Sequence, residues 1–213
     1  MQQDVTKAES KPKRRFSPKV RRSMILDKTA ELIAKDGISK LSMESIGQYA
    51  DVSKSLMYKY FDSMPSLLKE LLERELLLLF RNQVEAAEQA ATFEDLVRRT
   101  THVYLNHIAE RGMIIHRLQT DPSISNLHDP TYYKRTAAVD YFSNVVVKNF
   151  DMPIELARAV TDISFGIPVS AGDYLLRSDM DREELEELTV SMIIGSYNAA
   201  RFDFFSRKQK LKR

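Results

Sequence analysis

Residues 37–68, GISKLSMESIGQYADVSKSLMYKYFDSMPSLL, constrain the fold more than any other stretch of the chain, because two helix starts lie close together around a tight turn. Ser42 follows the apolar Ile38 and Leu41, at a position where a hydroxyl can cap free backbone N–H groups. Met43, Ile46 and Ala50 then recur at helical spacing, which predicts a helix over about 43–49. Asp51 ends it, and Val52 plugs the gap between two helices. Ser53 is a second N-cap, opening a helix that runs to about Tyr60. On this short helix Leu56 and Phe61 are expected to point inward, leaving Lys54, Ser55, Tyr58 and Lys59 facing out. A helix whose first half presents hydroxyls and lysines suits the major groove of DNA. Its first residues reach base edges, and its N–H groups and cations hold phosphate. Tyr58 and Tyr60 add phenol hydroxyls for the phosphate backbone, with Ser42 and Ser45 in support. Two surface helices of an ordinary bundle, with solvated lysines, would satisfy the same spacing.

The stretch from Ile25 to Leu68, ILDKTAELIAKDGISKLSMESIGQYADVSKSLMYKYFDSMPSLL, resembles the N-terminal domain of TetR-family (tetracycline-repressor-like) transcriptional regulators. Ile25, Leu26, Ala30, Leu32 and Gly37 match the family's first helix. Ser42, Ile46, Ala50, Val52, Ser53, Tyr58, Tyr60, Phe61, Ser63 and Leu67 match the pattern that follows, and the resemblance runs from about residue 19 to 79. It implies a double-stranded, approximately palindromic DNA operator, a homodimer and a small, largely apolar effector held in a pocket of the second domain. The chain departs from the family in three places. Asp51 replaces the usual turn glycine and tolerates unusual backbone angles less well than glycine. Ser55-Leu56-Met57 replaces Gly-Thr-Leu, so base contacts there are expected to differ. Met64 stands where a phosphate-binding lysine often begins the fourth helix.

Charge is unevenly distributed. Residues 1–65 hold 13 Lys+Arg and 8 Asp+Glu, a net of +5, while the whole chain, with 32 and 30, carries only +2. The remaining 148 residues are therefore net −3. Most of the positive excess lies in the first 23 residues, including Arg21 and Arg22. Residues 1–18, with two prolines and little apolar content, read as a basic disordered arm. Such an arm can lie along phosphates or in the minor groove, or be a solvated tail.

Length allows one small and one larger domain: the helix-turn-helix over 19–65 and an effector-binding and dimerisation domain over 66–213. The chain has no cysteine, hence no disulfide framework or thiolate chemistry. It has no run of 18 apolar residues and no signal-peptide pattern, so a soluble cytoplasmic protein without membrane contact is expected.

Helical spacing persists beyond residue 65, and no stretch alternates with a two-residue period, so the predicted fold is all-α with about nine helices. Leucines 67, 68, 71, 72, 76 and 79 form the apolar stripe of a fourth helix reaching about Gln89. A fifth starts near Thr92, with Gly112 expected to separate it from a short sixth. Asp121-Pro122 and Asp129-Pro130 bracket a loop. A seventh covers 131–150, an eighth begins at Pro153 and is kinked or interrupted by Gly166 and Pro168, and a ninth runs from Asp181 to Phe205.

Leu185, Leu188, Met192, Gly195, Ala199 and Phe202 follow three-four spacing, a seam for either a homodimer or packing within the monomer. Candidate effector-pocket residues are Thr100, Tyr104, His107, Asp140, Tyr141, Asn144 and Phe165, since pockets are mostly apolar with a few placed polar groups. A satisfied core histidine and a solvated polar face are the competing readings. His102, His107, Glu110 and His116 lie near one another in sequence, but only His107 and Glu110 can converge on a helix, too few ligands for a metal site. Neither a phosphate-binding glycine loop nor a G-x-S-x-G elbow is present. No cofactor, metal or catalytic residue is expected.

Overall fold

Ser17 and Pro18 show how locally the helix starts are set. The Ser17 hydroxyl accepts from the Val20 N–H at 3.3 Å, and proline takes the first turn, where its missing N–H is not needed. The computed structural model describes residues 17–125 and 130–210. These form ten helices: α1 (Pro18–Asp36), α2 (Met43–Tyr49), α3 (Lys54–Tyr60), α4 (Met64–Glu88), α5 (Phe93–Gln119), α6 (Pro122–Ser125), α7 (Pro130–Phe150), α8 (Ile154–Ser164), α9 (Gly166–Leu175) and α10 (Arg182–Lys210). No strand occurs among the described residues, and the fold is all-α as expected. The hydroxyls of Ser42, Ser53, Ser63 and Thr92 each accept a backbone N–H at the start of α2, α3, α4 and α5. The basic arm expected over residues 1–18 lies outside the described residues except at Ser17 and Pro18.

The nine expected helices become ten segments for three reasons. Gly112 does not break the fifth helix: it is buried within α5, and a Cβ there would meet Ile108 Cγ2 at 2.9 Å and Leu176 Cδ1 at 3.1 Å. The glycine is a close approach, letting the end of α9 lie against α5. The expected loop contains the short α6. Finally, the eighth helix is interrupted, because Pro168 offers no N–H to the Ser164 carbonyl, and α8 and α9 meet at Phe165.

One hydrophobic cluster joins α1–α4 to Ile114, Ile115 and Leu118 of α5 and Ile124 of α6. A second fills the space between α4, α5, α7, α8 and α10, where the Phe93 ring meets Phe150 edge-on at 4.6 Å and Tyr197 at 5.1 Å. A third, smaller one gathers Leu105, Ala171 and Leu185. The long α4 belongs to the first cluster at its start and reaches the second at its end, so it spans the molecule from α1–α3 to the helices behind. No helix among the described residues is long and apolar enough to cross a membrane.

Candidate functional site

The α2–turn–α3 unit is held by three contacts. The Val52 N–H donates to the Gly47 carbonyl at 2.8 Å. A Cβ at Gly47 would stand 2.8 Å from the Val52 carbonyl oxygen and 3.1 Å from Met57 Cγ, so only glycine lets the turn fold back this tightly. Met57 is fully buried and Phe61 nearly so. This corrects one expectation: Met57 belongs to the core and faces no base, and of the divergent trio Ser55-Leu56-Met57 only Ser55 is exposed, with Leu56 half-buried. Asp51 adopts φ 51°, the left-handed conformation that its place in the turn requires.

With Met57 and Phe61 anchored, α3 turns Lys54, Ser55, Tyr58 and Lys59 to solvent. Ser53 caps the helix through the Leu56 N–H at 3.3 Å, and its hydroxyl lies 3.2 Å from that of Ser55. Lys54 Nζ is 3.9 Å from Glu44 on α2, a loose exposed pair. Ser42 and Ser45 form a reciprocal capping box, with N–H to hydroxyl distances of 3.0 and 2.9 Å. Their hydroxyls thus already serve the start of α2.

One expected DNA contact is engaged elsewhere. Arg22 donates to both carboxylate oxygens of Glu70 at 2.6 and 2.5 Å and to the Tyr60 carbonyl at 2.6 Å, and its guanidinium lies 4.6 Å from the Phe61 ring centre. Arg22 is therefore a clamp that fastens the end of α3 to α1 and α4. Tyr60 is half-buried against the first cluster. Arg21, also on α1, is half-buried.

Behind α1–α3 lies a set of charged contacts that the spacing of the sequence did not single out. Glu75 of α4 is buried and receives Arg111 of α5 at 2.9 and 2.7 Å and Arg74 at 3.2 Å. Burial alone would raise the Glu75 carboxyl, but the hydrogen bonds and charge of Arg111, then of Arg74, hold it below its ordinary value. Arg74 also reaches Asp27 of α1 at 2.7 Å. Arg117 of α5 donates to the Ala34 carbonyl at 3.1 Å and to that of Ile33, capping the end of α1. The signal for Glu75 was present: a carboxylate four residues from both Leu71 and Leu79 interrupts an apolar stripe.

Among the seven pocket candidates, Thr100, Tyr104 and Phe165 line one cavity of about 70 Å³, together with apolar residues of α5, α7 and α10. Burial, then the charge of Asp173, pushes the Tyr104 phenol well up, so it stays protonated. The other four lie elsewhere. Tyr141 is half-buried with its ring edge-on to Phe142 at 5.2 Å, Phe142 itself lining the cavity. Asp140 takes an ion pair from Arg158 at 2.6 Å on the surface, and the exposed Asn144 donates to the Asp140 carbonyl at 2.8 Å. A helical polar face turned to water explains both. His107 is buried between α5 and α4, away from the cavity. Among the described residues no three His, Asp or Glu side chains converge as metal ligands.

The six seam residues of α10 divide. Leu185 is buried in the third cluster and so packs within the chain. Leu188, Met192 and Phe202 are 49, 53 and 76 % exposed, and Gly195 and Ala199 are also exposed. A Cβ at Gly195 would have no neighbour within 4 Å among the described residues, so no described helix approaches there. Ile163 of α8, 77 % exposed, extends the same apolar surface, which forms a groove with Ile167, Leu188 and Met192.

Residues 25–71 match the family model of the bacterial regulatory proteins of the tetR family. No curated protein matches the chain. Among solved structures, a tetR-family transcriptional regulator from Streptomyces coelicolor superposes with a TM-score of 0.69 at 18 % identity, covering 90 % of this chain and 90 % of that one. A TetR-family transcriptional regulator from Haemophilus influenzae gives 0.65 at 20 % identity, with 87 and 98 % covered. The fatty acid degradation regulator FadR from Bacillus halodurans gives 0.67 at 13 % identity, with 84 and 96 % covered. At these identities the likeness is one of fold.

Proposed function

We propose that this chain, whose residues 25–71 match the tetR-family model, is a DNA-binding transcriptional regulator, a homodimeric repressor released from its operator by a small, largely apolar effector. The observation that carries the reading is the division of α3. Met57 and Phe61 are locked inside, while Lys54, Ser55, Tyr58 and Lys59 are exposed on the outward side. On this reading residues 19–65 are the DNA reader and residues 66–213 bind effector and dimerise. Ser53 sets the start of the recognition helix. The protein acts in the cytoplasm and performs no catalysis.

The apolar face of α8 and α10, from Ile163 to Phe202, supports dimerisation, because its large side chains meet water in the single chain. Two readers on a two-fold axis then take half-sites about one DNA turn, roughly 34 Å, apart. The cavity lined by Thr100, Tyr104 and Phe165 is the proposed effector site. At about 70 Å³ it is far below the roughly 300 Å³ at which small-molecule sites begin, so an effector must widen it. The break at Phe165 between α8 and α9 lies in its wall. An effector that binds the widened form more tightly shifts the population toward it. α4, tied to α5 through Glu75 and to α1 through Arg74, would carry the change to the reader.

The small cavity favours one second reading: a DNA-binding protein of this fold that needs no effector and acts in chromosome organisation or through a protein partner. Genome-wide footprinting with the purified chain separates the two. One or two approximately palindromic operators are expected; many dispersed sites would support the second reading, and no protected site at all would sink both.

A further inference from the structure

The groove between α4 and α5 has no part in the reading above. Asn82 and Glu85 line it from α4, Gln89 from that helix's C-terminal cap, and Asn106, His107 and Glu110 from α5. Its volume, about 400 Å³, is several times that of the apolar cavity and falls within the range of small-molecule sites. Ala86 and Val103 complete it, so its lining mixes polar and apolar groups, whereas the cavity's is mainly apolar.

His107 lines this groove at its buried side. It is only 7 % exposed, and among the described residues no atom hydrogen-bonds its Nε2. Buried polar atoms are nearly always paired, so an unpaired one is a standing loss that a ligand can recover. Burial, and the nearby charge of Arg111, lower the imidazole's affinity for a proton, although Glu75 and Glu110 pull the other way. The neutral ring, in the tautomer with its proton on Nδ1, leaves Nε2 as an acceptor. Glu85 stands on one wall and Glu110 on the other, both exposed, and neither has an ion-pair partner among the described residues.

This set of groups selects its ligand. Two carboxylates disfavour an anion, and an apolar molecule would leave Nε2 unfilled. A bare metal ion lacks three converging ligands among the described residues. We propose that the α4–α5 groove binds a small organic ammonium or guanidinium ion, which donates an N–H to His107 Nε2 and places its charge between Glu85 and Glu110. Arg111, one turn along α5 from His107, holds Glu75 of α4. A ligand touching both helices beside that pair would bias their relative position. This consequence, unlike the binding itself, rests on the proposed role in operator release.

Calorimetric titration of the full chain with 1,4-diaminobutane, spermidine and agmatine, at matched ionic strength, tests the site. At least one should bind saturably with one site per chain at millimolar concentration or below. Glu85→Gln combined with Glu110→Gln should weaken it by about tenfold or more. The pair Glu183→Gln and Glu184→Gln, exposed on α10, should leave affinity unchanged. His107→Phe should raise the melting temperature of the free chain yet abolish the rise that the amine produces. A merely structural histidine would not separate these two effects. In ¹⁵N NMR the His107 Nε2 resonance should move on binding. Absence of saturable binding by all three amines, wild-type affinity in the Glu85/Glu110 double variant, or an unmoved Nε2 resonance would each overturn the proposal. If His107→Phe does not fold, the surface double variant still decides. Amine binding without any effect on DNA affinity would remove only the coupling, and a chain that binds amine but no DNA would remove the repressor reading and leave the site.

Discussion

Arg111 on α5 grips both carboxylate oxygens of Glu75 on α4, at 2.9 and 2.7 Å, although the two residues are 36 apart in sequence. The carboxylate lies in the apolar stripe of α4, between Leu71 and Leu79, and is almost wholly withdrawn from water. Arg74 shares it and passes the connection to Asp27 of α1. One buried charge thus ties the helices behind to α4 and, through it, to the helices in front.

Removing that charge strands Arg111. Glu75→Gln should lower the unfolding free energy by about 3 kcal/mol, the low end for breaking a buried pair, because Arg111 is itself about one-third exposed. The pH dependence follows in sign. The Glu75 carboxyl is held below its ordinary 4.5 in the folded chain, so the unfolded chain takes up the proton first. Its contribution is fully present above that ordinary value and is lost as pH falls through the lower, folded value. Denaturant titrations from neutral to acid pH should show stability falling below about pH 5, less steeply in the variant. Equal slopes in both proteins would refute the assignment.

Gly47→Ala should damage the reader directly. Its Cβ would press on the Val52 carbonyl oxygen, a backbone atom that cannot rotate away. A loss of about 1–3 kcal/mol is expected, with weaker DNA binding measured at a temperature where the variant is still folded. A thermal scan and a fluorescence-anisotropy titration check both.

Lys59 and Arg22 should behave differently although both are basic residues of the first domain. Lys59→Ala should weaken DNA binding and reduce the slope of log K against log[salt] by about 0.9, one phosphate's worth. Arg22→Ala should lower the melting temperature and leave that slope nearly unchanged, because its guanidinium is held by Glu70 and the Tyr60 carbonyl. A reduced slope for Arg22→Ala would return it to the DNA contacts.

On α10, Met192→Asp places a charge on the exposed apolar face and should give monomers in sedimentation at micromolar protein, with the fold intact by circular dichroism. Gly195→Leu, adding bulk where the single chain has open space, should act the same way. Leu185→Ala should do the reverse: about 2–5 kcal/mol less stable, with self-association retained. Undiminished dimers in the first two variants would move the interface elsewhere.

Much of the candidate DNA face was legible in the residues alone. Ser42 and Ser53 mark helix starts because capping joins atoms three residues apart, and the bounds of α2 and α3 follow. The α8–α9 break was likewise visible, since proline lacks an N–H wherever it stands. Gly112 was misread because a glycine inside a helix looks the same whether it ends the helix or admits a neighbour, and Leu176 arrives from 64 residues away.

By itself the sequence determined an all-helical chain with a capped α2–turn–α3 unit, because short-range hydrogen bonds and the helical period act within a few residues. Only the tertiary structure decided which charges are free and which are committed. Arg22 is bound by a carboxylate 48 residues away while Lys59 has none among the described residues, Met57 is core beside an exposed Tyr58, and His107 meets α4 rather than the cavity. Those outcomes depend on which helices come to lie side by side, and a charge or an imidazole reads the same in sequence until its neighbour arrives.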